Sequence, residues 1–132
     1  MARIAPLICV LALLAGCGGG NGSDEDGVER TIRDFVTAVN ERDADTYCDE
    51  LITNEFRERS TFAKGDRARE SCKRQLKAIT GLRIRLERIG KPRVDGDKAT
   101  VNVTLRRSGQ RYVQRVTLEK DGGDWKIAGG AG

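Results

Sequence analysis

At Gly81 the hydrophobic period of this chain changes, and that change leaves few folds open. Before it, Val28, Ile32, Phe35, Val36 and Val39 fall on one stripe of a helix. After it, Leu82, Ile84 and Leu86 alternate with Arg83, Arg85 and Glu87. Ala99, Val101, Val103 and Leu105 then alternate with Thr100, Asn102, Thr104 and Arg106, and Tyr112, Gln114, Val116 and Leu118 with Arg111, Val113, Arg115 and Thr117. Trp125 and Ile127 make a short last strand. The breaks, Asp95-Gly96, Ser108-Gly109 and Asp121-Gly122-Gly123, carry hairpin chemistry. Gly90 and Pro92 mark a bulge or a sheet edge. The pattern predicts an α+β domain: three N-terminal helices packed on the apolar face of a four-stranded antiparallel meander.

The second and third helices are shorter. Asp43 is placed to cap a helix through Ile52, with Ala44, Tyr47, Cys48, Leu51 and Ile52 facing inward. Asp66 is placed to cap another, with Ala68, Cys72, Leu76 and Ile79 in line and Gly81 closing it. Between them "TNEFRERSTFAKG" reads as a connector anchored by Phe56 and Phe62. At 132 residues the chain suits one domain with one core.

The N-terminus has a separate logic. Met1-Ala2-Arg3 is a short positive start, and the apolar run from Ile4 to Leu14 is broken only by Pro6. A membrane span needs about 20 apolar residues, so this run reads as the h-region of an export signal. Leu14-Ala15-Gly16-Cys17 resembles a bacterial lipobox. The resemblance implies cleavage before Cys17, a diacylglycerol on its sulfur, and attachment to the outer face of the cell membrane or the periplasmic side of the envelope. Residues 1–16 are then the signal peptide, 17–27 the lipidated cysteine with a flexible glycine and acidic tether, and 28–129 the folded domain. The alternative is an ordinary signal peptide with Cys17 as a disulfide partner. With Cys9 in the signal and Cys17 lipidated, two of the four cysteines remain. Cys48 and Cys72 are expected to pair with each other in an oxidising compartment. Their spacing is no CxxC redox motif, and two cysteines without histidine make a poor metal site.

Charge is unevenly spread. From Asp24 to Glu55 there are 11 acidic and 3 basic residues; from Phe56 onward there are 20 basic and 9 acidic. Attraction between the two regions inside the domain is the plain reading, and an anionic partner the sharper one. The chain contains no histidine, which excludes histidine-based triads and histidine zinc sites. It has no GxSxG, P-loop or GxGxxG. No metal and no cofactor are expected.

Helices followed by an antiparallel sheet, cysteines in "ADTYCDELI" and "RESCKRQL", and the closing "DGGDWKI" resemble the nuclear-transport-factor-2-like superfamily, which includes ketosteroid-isomerase-like and SnoaL-like enzymes. Its small bacterial envelope lipoproteins of unknown function are the members most similar in pattern. The resemblance covers roughly residues 27–128 and implies a cone with a cavity between helices and sheet. Tyr47, Tyr112, Gln114 and Trp125 are the amphipathic residues that would line it, although Trp125 reads first as a plug of the core, because its bulk closes a small domain. No acid falls among the inward strand positions, as isomerase chemistry of this type requires; Asp49 and Glu50, the nearest, read as a solvated helix face. Outward, Arg83, Arg85, Arg106, Arg111 and Arg115 form a basic face. They argue against a tight dimer through it, while leaving the oligomeric state open. They suit an anionic envelope polymer, lipid headgroups or an acidic protein. Nucleic acid is not expected, because no aromatic residues interleave to stack on bases. The expected function is a lipid-anchored extracytoplasmic binding or interaction module without catalysis. The runner-up is a small-molecule carrier or enzyme using the cavity.

Overall fold

The structure, a computed structural model, describes residues 20–131, with side chains described for 24–130. Cys17 and the signal segment lie outside the described residues. Helix α1 spans Gly20–Glu41, a π-helical segment spans Thr46–Leu51, α2 spans Asn54–Thr61 and α3 spans Gly65–Ala78. Strands β1 (Ile84–Ile89), β2 (Arg93–Asp95), β3 (Lys98–Arg107), β4 (Gln110–Asp121) and β5 (Asp124–Ala131) follow. They form one antiparallel sheet in the order β1-β3-β4-β5, with β2 also on β3. This is the expected α+β architecture with one more helix and one more strand.

The extra strand is a split edge. β1 pairs with the far end of β3 and β2 with its near end, both antiparallel, so the two are one edge strand broken at Gly90–Pro92. Pro92 has no N–H to give the ladder. The break stays attached because the Gly90 amide donates to the Asn102 carbonyl at 2.8 Å. The register of β3 on β4 sets Ala99 opposite Leu118, Val101 opposite Val116, Val103 opposite Gln114 and Leu105 opposite Tyr112. The alternation read from sequence therefore shares one face. Two hairpins turn through Ser108-Gly109 and Gly122-Gly123, all four residues at positive φ, which the right-handed strand twist favours. β5 runs past the expected Trp125-Ile127 strand to Ala131. Gly130 lets it do so, because a Cβ there would meet the Gln114 amide at 3.0 Å.

The core lies between α1, the π-helical segment, α3 and the inner sheet face. Val28, Ile32, Cys48, Ile52 and Cys72 pack with Ala99, Val101, Val103, Leu118, Trp125 and Ile127. The Cys48–Cys72 disulfide is present inside this cluster. Beside it Lys73 binds Asp49 at 2.9 Å and Asp45 at 3.0 Å, and Arg69 binds Asp49 at 3.1 Å. Covalent and ionic links thus join the same two segments.

Local hydrogen bonds close the helical layer. Asp43 does cap its turn, accepting from the Thr46 amide, and this hydrogen bond holds its carboxyl below the usual range. Asn40 pairs with both backbone groups of Ile84 at 2.7 Å, acting as a strand partner at the start of β1. Arg42 turns left-handed after α1 and donates to the carbonyls of Val39, Ile79 and Leu82. Thr31 donates to the Trp125 carbonyl at 2.9 Å, tying α1 to β5.

Four expectations need correction. The connector is helix α2: the Thr53 hydroxyl accepts from the Phe56 amide and caps it. Phe62 anchors nothing; it ends α2 in the left-handed region and is 97% exposed, while Phe56 packs on the core. Asp66 does not cap α3, whose cap position is Lys64; the free Gly65 amide is taken by Glu58 at 2.8 Å. The expected tether through Gly27 is helix from Gly20 onward, which moves the start of the folded unit ahead of residue 28.

Gly27 explains why the helix docks there. A Cβ on it would lie 2.8 Å from the Trp125 ring, so the indole fits only against a bare backbone. In a tether, Gly27→Ala would change little. Here it should lower stability by about 1–3 kcal/mol through overpacking, outweighing the ~1 kcal/mol that alanine gains in helix propensity. Urea denaturation checks this, with an unchanged or higher midpoint standing against the docked helix.

Candidate functional site

The four residues expected to line one pocket are not gathered into one. Tyr47 stacks on Phe35 with ring centroids 5.3 Å apart, and burial pushes its phenol pKa up, so it stays neutral. It borders a small cavity of about 100 Å³ with Ile52, Phe56, Cys72 and Leu76. Trp125 is 5% exposed and packs in the core, at the end reached by α1. Tyr112 is on the core-facing row but beyond the helices: it is 40% exposed, donates to Gln110 Oε1 at 2.8 Å, and lies beneath the Arg107 guanidinium. Gln114 is half-buried against Gly130. Register placed these side chains on the right face, but the distance each stands along the strand decides whether a helix covers it.

A larger cleft lies between the first turns of α1, the π-helical segment and the β4–β5 turn. Its volume is about 750 Å³, and Asp24, Asp34, Asp49, Glu50 and Asp124 face Arg30, Lys120 and Lys126 across it. Much of that charge is already engaged. Lys120 pairs with Asp24 at 3.1 Å and sits over the Trp125 ring, and Asp49 is held by Arg69 and Lys73. Hydrogen bonds that Lys73 donates, first to Asp49 and then to Asp45, hold its ammonium above its usual pKa.

Sequence reasoning also missed Arg57. It is 4% exposed and donates to the Cys48 carbonyl at 2.6 Å and to Asn54 Oδ1 at 2.7 Å. It closes the end of the π-helical segment, a structural task. Its neighbours Glu58 and Arg59 stay nearer the surface, Glu58 accepting from the Gly65 amide and Arg59 donating to the Ala128 carbonyl, and nothing in the sequence marks which of the three turns inward.

The outer sheet face is basic, but not as an unbroken row. Arg85, Arg106 and Arg111 are register neighbours across β1, β3 and β4. Glu87 intervenes: Arg106 Nε reaches Oε1 at 2.5 Å and Arg111 Nε reaches Oε2 at 2.9 Å. Two of the five expected arginines are therefore balanced by one carboxylate. Among the described residues Arg83, Arg85 and Arg115 carry no ion pair, and Arg93 of β2 joins them. Arg93 went unremarked in the sequence because a three-residue strand beside Pro92 shows no alternation.

The hydrogen bond from Arg106, helped by the charges of Arg106 and Arg111, holds the Glu87 carboxyl below the ordinary glutamate value of 4.5. A depressed pKa contributes stability above the unfolded value and loses it as pH falls through the folded one. The contribution is small for so exposed a site. NMR titration of the Glu87 side chain should give a midpoint below 4.5 that rises to the ordinary value in the Arg106→Gln, Arg111→Gln double variant. An unshifted midpoint in the parent would dissolve the pairing.

Comparison with known proteins adds the fold. No family model matches the chain, and no curated protein does. Among solved structures, an NTF2-like protein of unknown function from Silicibacter pomeroyi is 15% identical, with 83% of this chain and 93% of that chain covered at a TM-score of 0.53. A cystatin-like-fold protein of unknown function from Nostoc punctiforme is 16% identical over 80% and 86%, at 0.57. An NTF2-like protein of unknown function from Pseudomonas putida is 18% identical over 83% and 84%, at 0.55. At these identities the likeness concerns architecture alone: the chain has an NTF2-like α+β fold, and its function has to be argued from its own residues.

Proposed function

We propose that the protein is an exported, lipid-anchored binding module without catalysis, held to the bacterial envelope through acyl chains on Cys17. The observation that carries this reading is the Cys48–Cys72 disulfide, set among core residues with Cys48 fully buried. A stable structural disulfide belongs to an oxidising compartment. Two or more acyl chains give firm attachment at about 0.8 kcal/mol per buried methylene, where one chain is marginal. Because α1 starts at Gly20, only a few residues separate Cys17 from the fold, and the domain would sit close to the headgroups.

The non-catalytic part rests on the chemistry of the inward positions. Ala99, Val101, Val103, Val116 and Leu118 present no acid or base. Asp49 is tied up in ion pairs, and Tyr47 is a neutral phenol in an apolar setting. What this surface offers instead is unneutralised guanidinium on the outer sheet face. The partner of this module is accordingly an anionic component of the envelope or an acidic protein. A second reading, a small-molecule carrier or enzyme, draws on the half-buried Gln114 amide beside Tyr112 on the core-facing row of β4.

Expression of the full-length chain in a bacterium with a clickable fatty-acid analogue tests the anchor. Label should appear on the parent and vanish from Cys17→Ser, which should also leave the membrane fraction. Peptide mapping without reductant should recover Cys48 linked to Cys72. Label persisting on Cys17→Ser, or an uncut product in the cytosol with free thiols, would contradict the proposal.

A further inference from the structure

On the outer face, β2, β3 and β4 border a groove of about 530 Å³, lined by Arg93 and Arg115 and also by Lys98 and Asp95. Arg93 stands opposite Thr100, and Thr100 opposite Thr117; Arg115 is two residues along from Thr117 and opposite Asn102. Strand spacing and rise then separate the two arginine Cα atoms by about 12 Å on the diagonal. Thr100 and Asn102 lie between them as the floor, on the same face by period-two alternation. Among the described residues neither floor side chain has a hydrogen-bond partner, and neither guanidinium has an ion pair. The contrast with the neighbouring arginines is direct: Arg106 and Arg111 pair with Glu87, whereas among the described residues neither Arg93 nor Arg115 makes an ion pair. The one acid at the groove, Asp95, stands opposite Lys98 in the β2–β3 register.

We propose that this groove binds the phosphates of a soluble, flexible polyphosphate chain, gripped between Arg93 and Arg115 with Thr100 and Asn102 donating from below. The assignment deepens the function proposed above and rests on it for the compartment where the ligand is met. Planar guanidiniums make paired, charge-assisted hydrogen bonds to phosphate oxygens, and a hydroxyl and an amide supply the neutral donors. The groove lacks the aromatic surfaces that stack on sugars or bases, and the tryptophan and tyrosine anchors typical of protein partners. β2 is an edge, so a chain longer than one phosphate can run off the sheet without a clash.

Binding of fluorescent linear polyphosphate to the full-length protein, purified from whichever fraction contains it, tests the site. Arg93→Gln with Arg115→Gln should weaken binding at least about tenfold and flatten the log–log salt dependence by roughly 1.5, the value for two phosphate contacts. Asn102→Ala, which leaves net charge unchanged, should weaken it several-fold. Arg83→Gln with Arg85→Gln, removing the same charge elsewhere, should change it less than twofold. Equal losses in the two arginine pairs would mean diffuse attraction and overturn the groove. So would an absence of polyphosphate binding, or binding only to phosphatidylglycerol vesicles. A groove that fails while Cys17-dependent labelling persists leaves the anchored module standing, so the two failures are distinguishable.

Discussion

The bond between Cys48 and Cys72 holds together the part of this structure least able to hold itself. The segments it joins are short, and α2 between them has only eight residues. Helices of such length are marginal in water, because each must repay a costly nucleus with few hydrogen bonds. The sheet has local turns and long β3–β4 pairing to fix it. The helical layer has a crosslink, the Lys73 and Arg69 ion pairs beside it, and Arg57 closing the π-helical segment from beneath. With those in place, Ile52 reaches β5, where its backbone bridges Ile127 and the next amide, Thr53, donates to the Ile127 carbonyl at 3.0 Å. The inner sheet face is covered from there outward.

The same contacts explain the division of charge. Acidic residues of α1 and the π-helical segment meet basic residues of α3 and β4: Asp24 with Lys120, Asp45 and Asp49 with Lys73. Three of the eleven acids from Asp24 to Glu55 are thus matched to bases of the second half. What is left over is specific. The outer sheet face keeps several guanidiniums for which the fold supplies no carboxylate, and it keeps them above polar side chains. The functional proposal grows from that residue of charge, not from the total.

How legible was this in the sequence? The switch in period at Gly81, the hairpin dipeptides and the β3–β4 alternation carried the architecture, because side-chain period and turn chemistry are local. The inward cysteines were legible for the same reason. Helix α2 was not: its eight mostly charged residues have no apolar stripe, and only Thr53 ahead of Asn54 and Glu55 hinted at a cap. The start of α1 was hidden because "GGGNGSDEDG" has tether composition, and Gly27 reads as flexible until Trp125, far away in sequence, is seen to need its missing side chain. The site failed in a related way. Alternation told which face each arginine takes, but not that Glu87 would bridge two of them, nor that the broken edge would bring Arg93 across from Arg115. Pairings between distant strands decide such matters, and one sequence does not display them.

The disulfide secures the helical layer on the sheet. Urea unfolding of the full-length protein, followed by tryptophan fluorescence with and without reductant, measures it most directly. Closing a loop of this size should stabilise by roughly 3–4 kcal/mol in the chain-entropy account, so the reduced protein should unfold at much lower urea. Trp125, packed against α1, should report that loss. Identical curves for the oxidised and reduced protein would contradict the account.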